Sequence, residues 1–136
     1  MKIVTFKSKD SEKFLGVLDN KICLTENEYQ WKQLNSSEEG YFYIVSLEDS
    51  RLCITPLSIE DRKGLELKKI DPTNQSQLWK KEGDYLINKL EQRKGKIKKM
   101  CIDVCCEKKD NGTPIIIYHK KSSNAKNLKN QQWDIN

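Results

Sequence analysis

Five cysteines, one histidine and two groups of lysines are the residues of this chain whose types carry reactive or ionic chemistry. The cysteines are Cys23, Cys53, Cys101, Cys105 and Cys106, and the only histidine is His119. Cys101, Cys105, Cys106 and His119 have the donor types of a zinc site. Such a site wants Cys-x₂₋₄-Cys pairs from two loops, whereas Cys105 and Cys106 are adjacent and would point to opposite faces of a strand. The expectation is therefore no metal and no cofactor. An odd number of cysteines favours reduced thiols, which when buried behave as small hydrophobes. With a single histidine, no Ser-His-Asp arrangement and no glycine-rich phosphate cradle, the chain is not expected to be an enzyme. It remains open that it is an enzyme's targeting module. Arg93, Lys94, Lys96, Lys98 and Lys99 form one basic run and Lys120 with Lys121 a pair, within a formal net charge of +5. They read either as an anion-binding patch or as a solvated loop. No aromatic residue interleaves with the run as stacking on single strands requires, so nucleic acid is not an expected partner.

These residues must be positioned by something, and the patterning points to strands. Hydrophobic residues make up 36% and charged residues 33% of 136, which suits one well-solvated globular domain spanning 1–136. No run approaches the roughly 20 apolar residues of a membrane span. Met1-Lys2-Ile3-Val4-Thr5-Phe6-Lys7 has no apolar core and no small-residue cleavage site. The expected location is the cytoplasm, or release without a classical signal peptide. Short β-branched and aromatic runs recur between turn-forming clusters. They predict twelve strands: Ile3–Phe6, Phe14–Leu18, Lys21–Thr25, Trp31–Leu34, Tyr41–Ser46, Arg51–Thr55, Leu65–Ile70, Leu78–Lys80, Tyr85–Asn88, Met100–Val104, Ile115–His119 and Trp133–Ile135. A short helical turn is expected over Asp71–Ser76.

The three tryptophans, Trp31, Trp79 and Trp133, recur at roughly fifty-residue intervals. Each follows a polar lead, Tyr29-Gln30-Trp31, Gln77-Leu78-Trp79 and Gln131-Gln132-Trp133. Similar apolar runs precede each, so the chain divides into repeats at about 1–38, 39–82 and 83–136. A four-stranded repeat cannot bury its apolar face alone. Three around a pseudo-threefold axis close a barrel and cap one end with hairpins, which removes open edges. The tryptophans belong in the shared core, and the glutamines before them satisfy backbone groups of their own repeats.

These motifs resemble those of the ricin B-type, or Gln-x-Trp, lectins. The third repeat carries most of the likeness. Its Cys101-Ile102-Asp103-Val104, Asn111-Gly112-Thr113-Pro114 and Asn130-Gln131-Gln132-Trp133 are similar to that family's Cys-Leu-Asp-Val, Asn-Gly-Thr-Pro and Asn-Gln-Gln-Trp runs. The resemblance implies an all-β fold, a β-trefoil of twelve strands in three pseudo-symmetric four-stranded repeats. It implies a lectin of the galactose or N-acetylgalactosamine type, with glycans or glycoproteins as partners.

It also implies a site. Asp103 would accept hydrogen bonds from two sugar hydroxyls, Tyr118 would pack on the apolar ring face, and Asn130 would fix a further hydroxyl. Gln131 would brace the site, His119 would add a hydrogen bond, and the Val104-Cys105-Cys106 backbone would form a wall. Other readings stand beside these: Asp103 in a turn bond, Tyr118 in the core, His119 as a plain surface residue. Ile116 replaces the family's usual glutamine, and Lys120 stands where the disulfide partner of Cys101 is usual. Thr55 and Gly16 occupy the aspartate position of the other repeats, so one sugar site is expected. Avidity then calls for a homodimer or clustered ligands. The alternative is a trefoil that has lost sugar binding and serves as a protein-interaction or protease-inhibitor module.

Overall fold

The computed structural model describes residues 1–136 throughout. Thirteen strands form, in chain order β1 (Lys2–Val4), β2 (Phe6–Ser8), β3 (Phe14–Leu18), β4 (Lys21–Thr25), β5 (Trp31–Asn35), β6 (Phe42–Ser46), β7 (Leu52–Pro56), β8 (Lys63–Lys69), β9 (Trp79–Glu82), β10 (Tyr85–Asn88), β11 (Met100–Val104), β12 (Ile115–His119) and β13 (Trp133–Ile135). The count exceeds twelve because the first predicted strand is broken at Thr5. That residue turns its backbone to Asn136, with N–H···O distances of 2.8 and 3.0 Å in the two directions. β1 can then pair with β5 while β2 pairs with β13. The expected turn over Asp71–Ser76 is a single 3₁₀ turn at Gln75–Gln77, capped by the Asn74 side chain accepting from the Ser76 amide.

Two kinds of element build the molecule. β1, β5, β6, β9 and β10 pair in succession, β13 meets the turn before β10 where the Trp133 amide donates to the Asp84 carbonyl (2.9 Å), and β2 pairs β13. The ring is closed, so no edge is left for another chain to extend. Three hairpins, β3–β4, β7–β8 and β11–β12, hang from it. Each is tied to the ring by the same pairing, Lys7↔Phe14, Val45↔Cys53 and Ile87↔Cys101.

The core is layered in threes by the same register. Trp31, Trp79 and Trp133 are fully buried, as are Phe6, Ile44 and Leu86, and Leu15, Ile54 and Ile102. A buried indole N–H must find an acceptor. Trp31 Nε1 donates to Leu15 O (2.9 Å), Trp79 Nε1 to Ile54 O (3.3 Å) and Trp133 Nε1 to Ile102 O (3.1 Å). The next residue on each hairpin strand faces outward, away from the core: Gly16, Thr55 and Asp103.

Candidate functional site

On the β11–β12 hairpin, Asp103 pairs opposite Ile116 and Cys101 opposite Tyr118. The period of two puts these four side chains on one face and Ile102 and Ile117 on the core face. The outward face floors a cleft of about 240 Å³. Asp103, Ile116, Tyr118 and Asn130 line it together with Cys105, Cys106, Glu107, Lys121 and, from the second repeat, Arg62.

Asp103 is the centre of this arrangement, 2% exposed at the base of the cleft. Asn130 Nδ2 donates to its Oδ1 at 3.0 Å and Gln131 Nε2 to its Oδ2 at 2.9 Å. Two amide bonds leave about half of a carboxylate's lone-pair sites unused. Burial pushes its carboxyl up to about 6, against the Gln131 hydrogen bond and the Lys121 charge, which favour the ionised form. Gln131 has a second task. Its Nε2 donates to the His119 carbonyl (2.8 Å) and its Oε1 accepts from the Lys121 amide (3.0 Å), which pins the chain leaving β12.

Gln77 repeats this geometry one unit earlier. It donates to Thr55 Oγ1 (3.1 Å) and the Lys69 carbonyl (2.9 Å) and accepts from the Asp71 amide (2.9 Å). In the first unit Tyr29 stands in that place and packs on Trp31, ring centroids 5.2 Å apart. Only Asp103 among the three equivalent positions brings a charge.

Similarity to known proteins agrees with this architecture. No protein-family model and no curated protein matches the sequence. Among solved structures, the designed threefold-symmetric protein ThreeFoil superposes with a TM-score of 0.75 at 17% identity, over 98% of this chain and 96% of that one. The C-terminal half of an earthworm R-type lectin, in complex with GalNAc, superposes at 0.71 and 16% identity, over 99% and 98%. A mosquitocidal holotoxin superposes at 0.73 and 14% identity over 98% of this chain, which spans 17% of the toxin's length. The chain is a β-trefoil.

Within the trefoil, Asp103, Tyr118, Asn130 and Gln131 lie together, the first three on the cleft and Gln131 beneath it. His119 does not line the cleft. Its ring stacks on Tyr118 (centroids 4.4 Å apart) and Nδ1 lies 3.0–3.1 Å from the Asp61 carboxylate, whose Oδ1 also accepts from the His119 amide (2.8 Å). Cys105 and Cys106 do not alternate along a strand as their sequence suggests. They lie on a 3₁₀-type turn after β11, with Sγ atoms 3.1 Å apart, because Cys106 takes a left-handed conformation at φ 58°. Cys101 is a free buried thiol held in its neutral form, pushed up by burial first and then by Asp103.

Three cleft residues escape sequence reasoning. Lys121 is the most consequential. Its ammonium donates to Asn130 Oδ1 (2.9 Å), to the Asn127 carbonyl (2.9 Å) and to Glu107 (3.3 Å), with its side chain 17% exposed. Glu107 is held below its usual value by the Asn127 side chain and by Lys121. Arg62 sits 5.8 Å from the Tyr118 ring centroid. The basic pair Lys120-Lys121 is therefore internally engaged, Lys120 sharing Glu82 with Lys99. Only the Lys120 and Lys121 adjacency was visible in sequence, and it carried no sign of direction.

Proposed function

We propose that the chain is a carbohydrate-binding lectin of the galactose or N-acetylgalactosamine type, with one site in its third repeat and no catalytic activity. The observation that carries this reading is the buried Asp103 carboxylate, held by two amides with acceptor capacity left over, at the base of a cleft that Tyr118 also lines. A carboxylate so fixed accepts from two hydroxyls of a sugar without reorganising, and an aromatic face takes the C–H side of the ring. Asn130 orients Asp103 through Nδ2, and its Oδ1 is the group that the sugar takes over from Lys121. The likeness to an R-type lectin in complex with GalNAc supports the fold of such a module. One shallow site binds a monosaccharide weakly, so glycoprotein partners are engaged through a homodimer or clustered glycans. Reduced thiols suit a cytoplasmic location.

Titration calorimetry with galactose, N-acetylgalactosamine and lactose tests the reading, alongside Asp103→Asn. Saturable heat from at least one sugar in the parent chain, lost in the variant, is expected. Silence of the folded parent toward all of them overturns it. That silence would favour a second reading, a trefoil that binds protein instead, for which the Lys121 ammonium seated on Asn130 and Ile116 at the cleft floor are the specific observations.

A further inference from the structure

Cys105 and Cys106 set themselves apart from the other three thiols. Cys23, Cys53 and Cys101 are buried, and burial pushes the thiols of Cys53 (to about 11) and Cys101 up, so they stay protonated and unreactive. Cys106 is exposed, Cys105 is half-buried, and both line the cleft. Their sulfurs lie 3.1 Å apart, inside the ordinary contact distance of two thiols and about 1 Å beyond a disulfide bond. Adjacent side chains rarely converge. Here they do because Cys106 and Glu107 are both left-handed, φ 58° and 59°, a conformation that non-glycine residues seldom adopt. The turn is fixed on both sides, by the Cys105 amide donating to the Pro114 carbonyl (3.0 Å) and the Lys108 amide donating to the Cys105 carbonyl (3.2 Å). The turn thus holds the two sulfurs together before any bond forms between them. No third His, Cys, Asp or Glu joins the pair to complete a metal site.

We propose that Cys105 and Cys106 form a covalent modification site, a vicinal dithiol that reacts as a unit with two-electron oxidants of the peroxide class and closes to a disulfide on the cleft wall. Cys106 is the exposed sulfur and attacks first. Its thiolate takes one peroxide oxygen and the O–O bond breaks. The departing hydroxide, with the proton Cys106 released, leaves as water and Cys106 becomes a sulfenic acid. Cys105 is kept protonated by burial and by its contact with Cys106, and it waits as the resolving thiol. Its sulfur displaces hydroxide from Cys106, and that hydroxide leaves as a second water with the Cys105 proton. Two thiols are oxidised and one peroxide is reduced to two waters. This chemistry is independent of whether the cleft binds sugar.

The folded chain is treated with hydrogen peroxide, unfolded, alkylated and mapped with trypsin. All three relevant cysteines fall in the peptide Met100–Lys108. The expected peptide carries one alkyl group, on Cys101, and has lost two hydrogens; dithiothreitol before alkylation restores all three sites. Cys101→Ala should still close, whereas Cys105→Ser and Cys106→Ser should not. Phenylarsine oxide, a probe that bridges paired thiols, should add once to the reduced chain and not to the peroxide-treated one. The proposal is overturned if three alkyl groups remain after peroxide, if closure disappears with Cys101→Ala but survives Cys105→Ser, or if the pair is merely over-oxidised to sulfinic acid without closing.

Discussion

Asp103 has an ordinary carboxyl value of 3.8 and is pushed up to about 6 by burial. The folded state therefore holds the proton more tightly than the unfolded chain. Ionised Asp103 costs stability at neutral pH, about 3 kcal/mol for a shift of roughly two units. That cost is present above about 6 and is relieved as pH falls from there toward 3.8. The melting temperature should rise by several degrees between pH 7.5 and 5, and Asp103→Asn should flatten the rise in a differential scanning series. Sugar affinity, in the proposed reading, runs the other way, because protonation removes the acceptor; calorimetry at the two pH values separates the two effects. Lys121 supplies a second residue-scale prediction. In the proposed reading a sugar hydroxyl takes the place of this ammonium on the Asn130 oxygen. With a charged donor worth about 1.5 kcal/mol, Lys121→Met should tighten sugar binding about tenfold. The comparison belongs at pH 8, since losing the ammonium also removes a charge that favours ionised Asp103. A weaker-binding Lys121→Met would mean that the lysine contacts the ligand directly.

At the scale of the hairpins, one position decides between a pocket and a closed surface. Asp103, Thr55 and Gly16 follow the three carbonyls that accept from the tryptophans. A Cβ at Gly16 would lie 2.6 Å from Thr25 Cγ2, 2.7 Å from its Oγ1 and 3.0 Å from Tyr29 Cβ. Thr25 and Tyr29 stand where the third unit has Tyr118 and Gln131, and they crowd the position that Asp103 holds there. Gly16→Ala should cost about 1–3 kcal/mol by overpacking, read as a lower denaturant midpoint. Gln77→Leu should cost about as much, because it strands the Lys69 carbonyl and the Asp71 amide together. All the strands but the first, which breaks in two at Thr5, were legible in the sequence to within a residue or two, since each is a short run ended by a turn cluster. Asp103, Asn130 and Gln131 were legible as a set through the third repeat's resemblance to the ricin B-type lectins, and they meet in the structure. Lys121, Arg62 and Glu107 were not. Their place in the cleft depends on side-chain reach and on a turn contributed by another repeat, and neither leaves a periodicity. The Asp61 contact that draws His119 from the cleft crosses repeats in the same way. The convergence of Cys105 and Cys106 depends on a left-handed backbone that no glycine or asparagine announces.

For the molecule as a whole, the three units share one core, so their energetics cannot be divided as the sequence is. Trp31, Trp79 and Trp133 are equally buried, and each spends its indole N–H on the equivalent carbonyl of its own hairpin. Replacing any one by alanine removes a large core side chain and strands that carbonyl, at a cost of about 3–5 kcal/mol. That is a large part of the roughly 5–15 kcal/mol that holds a domain of this size folded. Only Trp133 follows directly on the 3₁₀ turn that carries Asn130 and Gln131. If the units were independent, Trp31→Ala would loosen the first unit and leave the third intact. If they are one cooperative body, all three variants should melt in a single transition, lowered by similar amounts. Each should then keep the peroxide chemistry of Cys105 and Cys106 below its own melting temperature. The closed ring argues for the second outcome, because β2 of the first unit pairs with β13 of the last. Thermal unfolding followed in parallel by far-ultraviolet circular dichroism and by the rate of Cys101 alkylation decides it. Coincident curves in all three variants are expected, while early release of Cys101 in Trp133→Ala alone would show that the third unit melts by itself.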